Sequence, residues 1–204
     1  MKKISGIMIL VVILIESGQI AAQPTSISNN KMTNASLDKN GNLVITPSGT
    51  SSSRDFDFLM GNHNVHHKFL TARLEGTKTW AEFDGTHQMQ PLLGGKGNLE
   101  QHQMTDPKGN PVEGVAFRLF NPVTRLWSIY WADSRTVTMD VPVVGSFENG
   151  IGYFYAKDVF NNKPVLIQFK WDASNPGKPV WSQAFSTDNG ETWEWNWYMY
   201  FTKK

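Results

Sequence analysis

The chain has 204 residues, with 19 basic and 18 acidic side chains, a formal net charge of +1 and no cysteine. Near-neutrality argues against nucleic acid or an anionic membrane surface as partner. The absence of Cys excludes disulfides, thiol catalysis and a lipid-anchored amino terminus.

Lys2 and Lys3 precede an apolar run at 7–15, and the small pair Ala21-Ala22 follows a polar stretch. A basic start, a short apolar core and small residues predict a secretory signal peptide over 1–22 and a periplasmic or secreted product. The apolar run is short for a bilayer crossing, so no membrane span is expected after signal removal. Residues 23–53 are rich in Ser, Asn, Thr and Gly and read as a flexible lead-in, with one hairpin signal at Asn40-Gly41. Residues 54–204 then make one domain of roughly 150 residues.

Within that domain apolar and polar residues alternate, and turn signals recur at about ten-residue intervals. The pattern predicts an all-β, antiparallel up-and-down barrel of about ten strands, closed so that no edge is left unpaired. Four strands are expected between residues 63 and 104. Asp84-Gly85 reads as a two-residue turn pairing Glu82 with His87, and Gly94-Gly95 as a turn pairing His87 with His102. The loop Arg73-Leu74-Glu75-Gly76 would pair Ala72 with Thr77 and bring His67 beside Glu82. On this register one face carries His67, Phe69, Trp80, Glu82, His87, Met89, Glu100 and His102, while Asn64, His66, Lys68, Gln88 and Gln101 meet solvent. An apolar inward face with an ionisable belt is the result.

His63, His66 and His67 resemble a metal cluster in one dimension only. Along a strand His66 faces away from His67, and His63 lies roughly 13 Å from it, so the three cannot share an ion.

Further along, strands are expected at 115–120 and 125–132. If Phe120 pairs with Arg125 across the Asn121-Pro122 turn, Arg118 lies opposite Trp127. Arg118 then reads either as a cation–π partner or as an anchor for a ligand carboxylate, its face left open by a strand apolar on both sides. More strands are expected at 136–141, 150–159 and 165–171, the last two flanking Asn161-Asn162-Lys163. Residues 186–193, Ser-Thr-Asp-Asn-Gly-Glu-Thr-Trp, fit the Asp-box pattern. Its physics is that of a hairpin: Asp188 accepts loop N–H groups, Gly190 supplies positive φ and Trp193 packs beneath. A single copy in so short a chain does not make a propeller, so the motif is read as structural. Trp193, Trp195, Trp197, Met199 and Phe201 alternate along the last strand as a core stripe, some of whose rings could floor a cavity.

The stretch Phe56-Asp57-Phe58-Leu59-Met60-Gly61 followed by a long meander resembles the small calycin-like barrels of bacteria, related in shape to lipocalins and fatty-acid-binding proteins. Leu92-Leu93-Gly94-Gly95, Arg118-Leu119-Phe120-Asn121-Pro122 and Trp127-Ser128-Ile129-Tyr130-Trp131 are similar to blocks of one such bacterial family. The resemblance spans 55–204 and implies a barrel fold; it is nearly silent on activity. His63 stands where lipocalin-like chains carry the Trp of Gly-x-Trp. Haem-binding relatives use a late His, and this chain has none after His102, so haem does not carry over.

Three functions follow as expectations. In the first, the barrel binds a small, partly apolar ligand, with Phe69, Trp80 and Met89 as wall and His67, Glu82, Glu100, His87, His102 and Arg118 orienting its polar end. In the second, the same cavity is a small enzyme: His87 or His102 acts as acid or base, Glu82 orients the ring and Arg118 stabilises developing negative charge. Two His and a carboxylate (Glu82, His87, His102) also make a common metal-ligand set, although His67 and His102 would stand roughly 14 Å apart in a flat sheet. The third is a scaffold or surface protein with a packed interior. No phosphate-binding Gly loop, nucleophile elbow or paired Cys points to a cofactor, and composition leaves the oligomeric state open.

Overall fold

The computed structural model describes residues 31–204 and the backbone of Ile27–Ser28; the expected signal peptide lies outside the described residues. In chain order the strands are β1 Ile27–Ser28, β2 Ala35–Leu37, β3 Leu43–Ile45, β4 Gly61–Leu70, β5 Trp80–Leu92, β6 Gly97–Thr105 and β7 Pro111–Asn121. There follow β8 Leu126–Asp133, β9 Val143–Glu148, β10 Ile151–Phe160, β11 Lys163–Asp172, β12 Val180–Ser186 and β13 Trp193–Lys203. From β4 to β13 each strand pairs antiparallel with the next, and β13 pairs back onto β4 from Trp197↔Phe69 to Lys203↔His63. The result is a closed ten-stranded up-and-down barrel, the topology the alternating pattern predicts.

Turn chemistry explains much of the register. Gly94 and Gly95 both take positive φ, so the β5–β6 connection closes tightly and sets His87 opposite His102, as expected. Asn161 and Asn162 also sit at positive φ, and their two-residue loop pairs Phe160 with Lys163. At 186–193 Ser186 Oγ lies 2.7 Å from Asp188 Oδ1, which also accepts the Thr192 N–H at 2.9 Å. Trp193 Nε1 donates to the Gly190 carbonyl at 3.1 Å, and the ring is buried.

One expected turn is absent. Asp84-Gly85 lies inside the 13-residue strand β5, with Gly85 in extended conformation. This glycine serves packing instead: a Cβ there would come 2.7 Å from the Gln103 carbonyl oxygen and 3.1 Å from His67 Nε2. The β4–β5 loop is also longer than the four residues expected. Pairing stops at Leu70↔Trp80, with Thr71 N donating to the Thr79 carbonyl at 3.0 Å. The register therefore moves by one residue, and His67 faces Phe83 rather than Glu82. A one-residue slip turns a strand over. Glu82 and Trp80 consequently lie on the outer face, where Glu82 stands near His66 and Lys68 and Trp80 packs on Tyr198.

Residues 31–60 dress the barrel outside and in. The β2–β3 hairpin covers an outer cluster of Tyr155, Leu166, Ala184 and Trp193, and the Tyr155 hydroxyl accepts the Thr33 N–H at 2.9 Å. The chain then enters one end of the barrel. Ser48 N donates to Ser146 Oγ at 3.0 Å, and Trp127 Nε1 donates to the Ser52 carbonyl at 3.1 Å. Phe56, just before the short 3-10 turn Asp57–Leu59, and Leu59, at its end, are fully buried inside. Phe56 meets Trp127 and Phe147 edge-on, both at 5.0 Å.

Gly85→Ala is expected to cost about 1–3 kcal/mol, the usual penalty of overpacking a core, whereas Glu82→Gln stays within about 0.5 kcal/mol as an exposed change. Urea midpoints at constant slope check both; the reverse order would restore the belt that places Glu82 inside.

Candidate functional site

The inward side chains of β4 to β7 form a buried polar layer centred on Glu100. Glu100 lies opposite Met89 on β5 and Ala116 on β7, with His102 next along its own face and Arg118 next along β7. His102 Nε2 stands 2.5 Å from Glu100 Oε1, His87 Nε2 stands 3.1 Å from Oε2, and the Arg118 guanidinium pairs with Oε2. Arg118 also donates to Asn98 Oδ1 at 3.1 Å and lies 4.7 Å from the Phe56 ring. Every member is almost wholly shielded from solvent.

Charge in this layer is decided by competition. Burial alone would raise the Glu100 carboxyl, but Arg118, then His102 and His87, hold it well below the usual range. His87 moves down, because burial outweighs the pull of Glu100. His63 Nδ1 lies 3.2 Å from His87 Nδ1. One of these two rings donates to the other, as their tautomers decide. Burial, with His87 and Lys203 beside it, lowers His63 to about 4. His67 accepts the Trp197 Nε1–H at Nδ1, at 3.2 Å, so its own proton sits on Nε2. Burial, then His102, lowers it to about 3. The layer thus sets one carboxylate against one guanidinium, with His63, His67 and His87 pushed toward their neutral forms.

His87, Glu100 and His102 bring ligand atoms within 4.8 Å of one another, the donor set that could hold a divalent metal. The fit is poor. Both Glu100 oxygens are already engaged, and a dication would lie against the Arg118 guanidinium.

On one side this layer borders a cavity of about 430 Å³ that opens at the barrel end opposite Phe56. Glu100 and Arg118 lie at its floor, and Trp131, Phe169, Trp171, Trp181 and Trp197 wall it. Arg73, Asp133, Arg135 and Asp140 surround the mouth. Of the ligand-binding residues expected from sequence, Glu100 and Arg118 line this space, as do Trp197 and Met199 of the last-strand stripe. His67, His87, Met89 and His102 are buried beside it, Phe69 packs on Trp197 at 5.2 Å, and Glu82 and Trp80 are outside. Arg118 faces Ile129, not Trp127; its aromatic neighbours are Phe56 and Trp171. Sequence reasoning missed Arg73 in its loop and the role of His63, although His63 shares strand parity with His67.

No protein-family model and no curated protein matches the chain. Among solved structures it is similar to the S-type phycobiliprotein lyase CPES from Guillardia theta, with TM-score 0.53 and 7% identity, over 76% of this chain and 94% of that one. It also matches EF1p2_mFAP2b bound to DFHBI, with TM-score 0.38 and 13% identity, over 74% of this chain and 98% of that one. The likeness to the lyase is one of fold: this chain is a calycin-like barrel.

Proposed function

We propose that this chain is an exported barrel that binds one small, partly apolar molecule in its interior. The observation that carries the reading is the aromatic-walled cavity of about 430 Å³, within the range of small-molecule sites. Rings along one wall and a polar floor suit a molecule with an apolar body and a few hydrogen-bonding atoms. The floor favours a neutral acceptor. Glu100 already neutralises Arg118, while Arg118 Nε and Trp171 Nε1 are buried without hydrogen-bond partners. An oxygen or nitrogen of the ligand would meet such donors at lower cost than a second carboxylate. Export rests on Lys2, Lys3 and the apolar run at 7–15.

The histidines support carriage over acid–base chemistry in this cavity. His87 and His102 line a separate cleft of about 280 Å³ instead, and burial shifts His87 down, which makes it a weaker base. The reading needs no cofactor.

1-Anilinonaphthalene-8-sulfonate should bind the native protein saturably at one site, with enhanced fluorescence. Ile167→Trp, which adds an indole to the cavity wall, should weaken it about tenfold or more while the thermal midpoint holds. Undiminished binding in Ile167→Trp would place the probe elsewhere and remove the cavity reading. Native mass spectrometry of protein from its own host is expected to find a bound organic molecule that Ile167→Trp lacks.

Acid should destabilise the fold. His63 and His67 titrate lower when folded (about 4 and about 3) than when unfolded. As pH falls below about 6.5, the unfolded chain therefore takes up protons first and stability declines. Glu100 acts in the same sense further down, its contribution present above the unfolded carboxylate value and lost as pH drops. His67→Gln should remove up to about 1.4 kcal/mol per pH unit of this slope between roughly pH 6 and 4. Urea midpoints measured against pH test it, and an unchanged slope would mean that His67 is already protonated in the fold.

A further inference from the structure

The cavity mouth holds a cation that makes no direct ion pair among the described residues. Arg73 lies in the loop between β4 and β5, with its guanidinium carbon 4.5 Å from the Phe160 ring, 5.0 Å from Phe69 and 5.3 Å from Phe185. Among the described residues it makes no ion pair and no side-chain hydrogen bond. Glu194, a carboxylate that acts on it, accepts the Leu74 N–H at Oε1, at 2.7 Å. Burial, with Arg135 nearby, lowers Arg73 to about 10, which leaves it charged at neutral pH.

A half-buried guanidinium without a carboxylate calls for an explanation. Aromatic faces attract its charge but carry no lone pairs, so among the described residues no acceptor meets its N–H donors, which are left to water or a ligand. Arg118 differs in this respect, since Glu100 answers it. The rest of the rim is predominantly acidic. Arg135 is held by Asp133, and Asp140 and Asp158 line the same opening. Burial pushes the Asp140 carboxyl up, and Asp158 and Asp133 add to the shift. An anion entering this mouth is repelled from that side and has one favourable place to rest.

We propose that Arg73 anchors the acid group of the ligand at the mouth, so that the cavity takes an amphipathic organic acid. The apolar body lies among Trp131, Trp171, Trp181 and Trp197 and the anionic end meets Arg73; this rests on the small-molecule reading of the cavity. The acid group stays at the wet rim, where its desolvation is partial, and the body takes the dry interior.

Two probes that share a ring system test the assignment: naphthalene-2-carboxylate and the neutral 2-naphthylmethanol, titrated by calorimetry into the full-length protein. The native protein should bind the carboxylate about tenfold more tightly than the alcohol. Arg73→Gln should bring the two affinities together, and Arg73→Lys, which keeps the charge, should retain a gap. Near-UV circular dichroism confirms that each variant is folded. Should Arg73→Gln not fold, loss of the gap in Arg73→Lys at a pH above the lysine titration supplies the same comparison. Equal affinities in the native protein, or a gap that survives charge removal, overturn the anchor and leave the cavity reading standing. Failure of both probes to bind the native protein removes that reading, and the anchor with it.

Discussion

The pairing of Glu100 with Arg118 is the interaction around which the interior is arranged. A carboxylate this deeply enclosed is tolerable only if its lone pairs are answered and its charge opposed. Arg118 supplies the opposing charge, and His87 and His102 approach the two oxygens. Removing Arg118 would leave Glu100 to protonate or drag water into the barrel. Removing Glu100 would leave a guanidinium stranded against Phe56 and Trp171. Because the pair cancels, the floor of the cavity is polar without being charged, and net charge is met only at the rim.

The barrel separates its tasks along its length. At one end Phe56 and Leu59 fill the space with aromatic and aliphatic atoms. The Glu100 layer lies beyond them, followed by the aromatic-walled space and then the acidic rim with Arg73. Closure of β13 onto β4 makes this possible. A closed sheet has no edge to protect, and its loops at one end are free to take irregular shapes. The loop between β8 and β9 uses that freedom, with Val137 at positive φ and Val137, Met139 and Val141 exposed beside the opening.

Legibility in the sequence followed the size of the register error. The Gly94-Gly95 turn was readable because glycines at positive φ dictate a tight hairpin, and His87 met His102 as expected. Around Arg118 the expected and observed pairings differ by two residues, Trp127 against Ile129; an even slip keeps every side chain on its face, so Arg118 was still an interior candidate. The β4–β5 register slipped by one, and that reversed Glu82 and Trp80. Asp84-Gly85 misled because glycine is the same letter whether it makes a turn or admits a close neighbour. Glu100, on the expected face all along, takes the place assigned to Glu82. Arg73 was unreadable for a different reason: loops carry no period, so nothing in the pattern says which way such a side chain will lean.

The plug at Phe56 and Leu59 also bears on the order of assembly. These side chains come from chain that precedes the first barrel strand, yet they end up enclosed by β8, β10 and β11. The last seam, β13 against β4, joins residues more than a hundred positions apart, as in Trp197 with Phe69. Such a distant closure comes late in folding. Residues 48–60 lie next to β4 in the chain, so the plug can dock against β8, β10 and β11 before that seam shuts, and the finished barrel then closes around it.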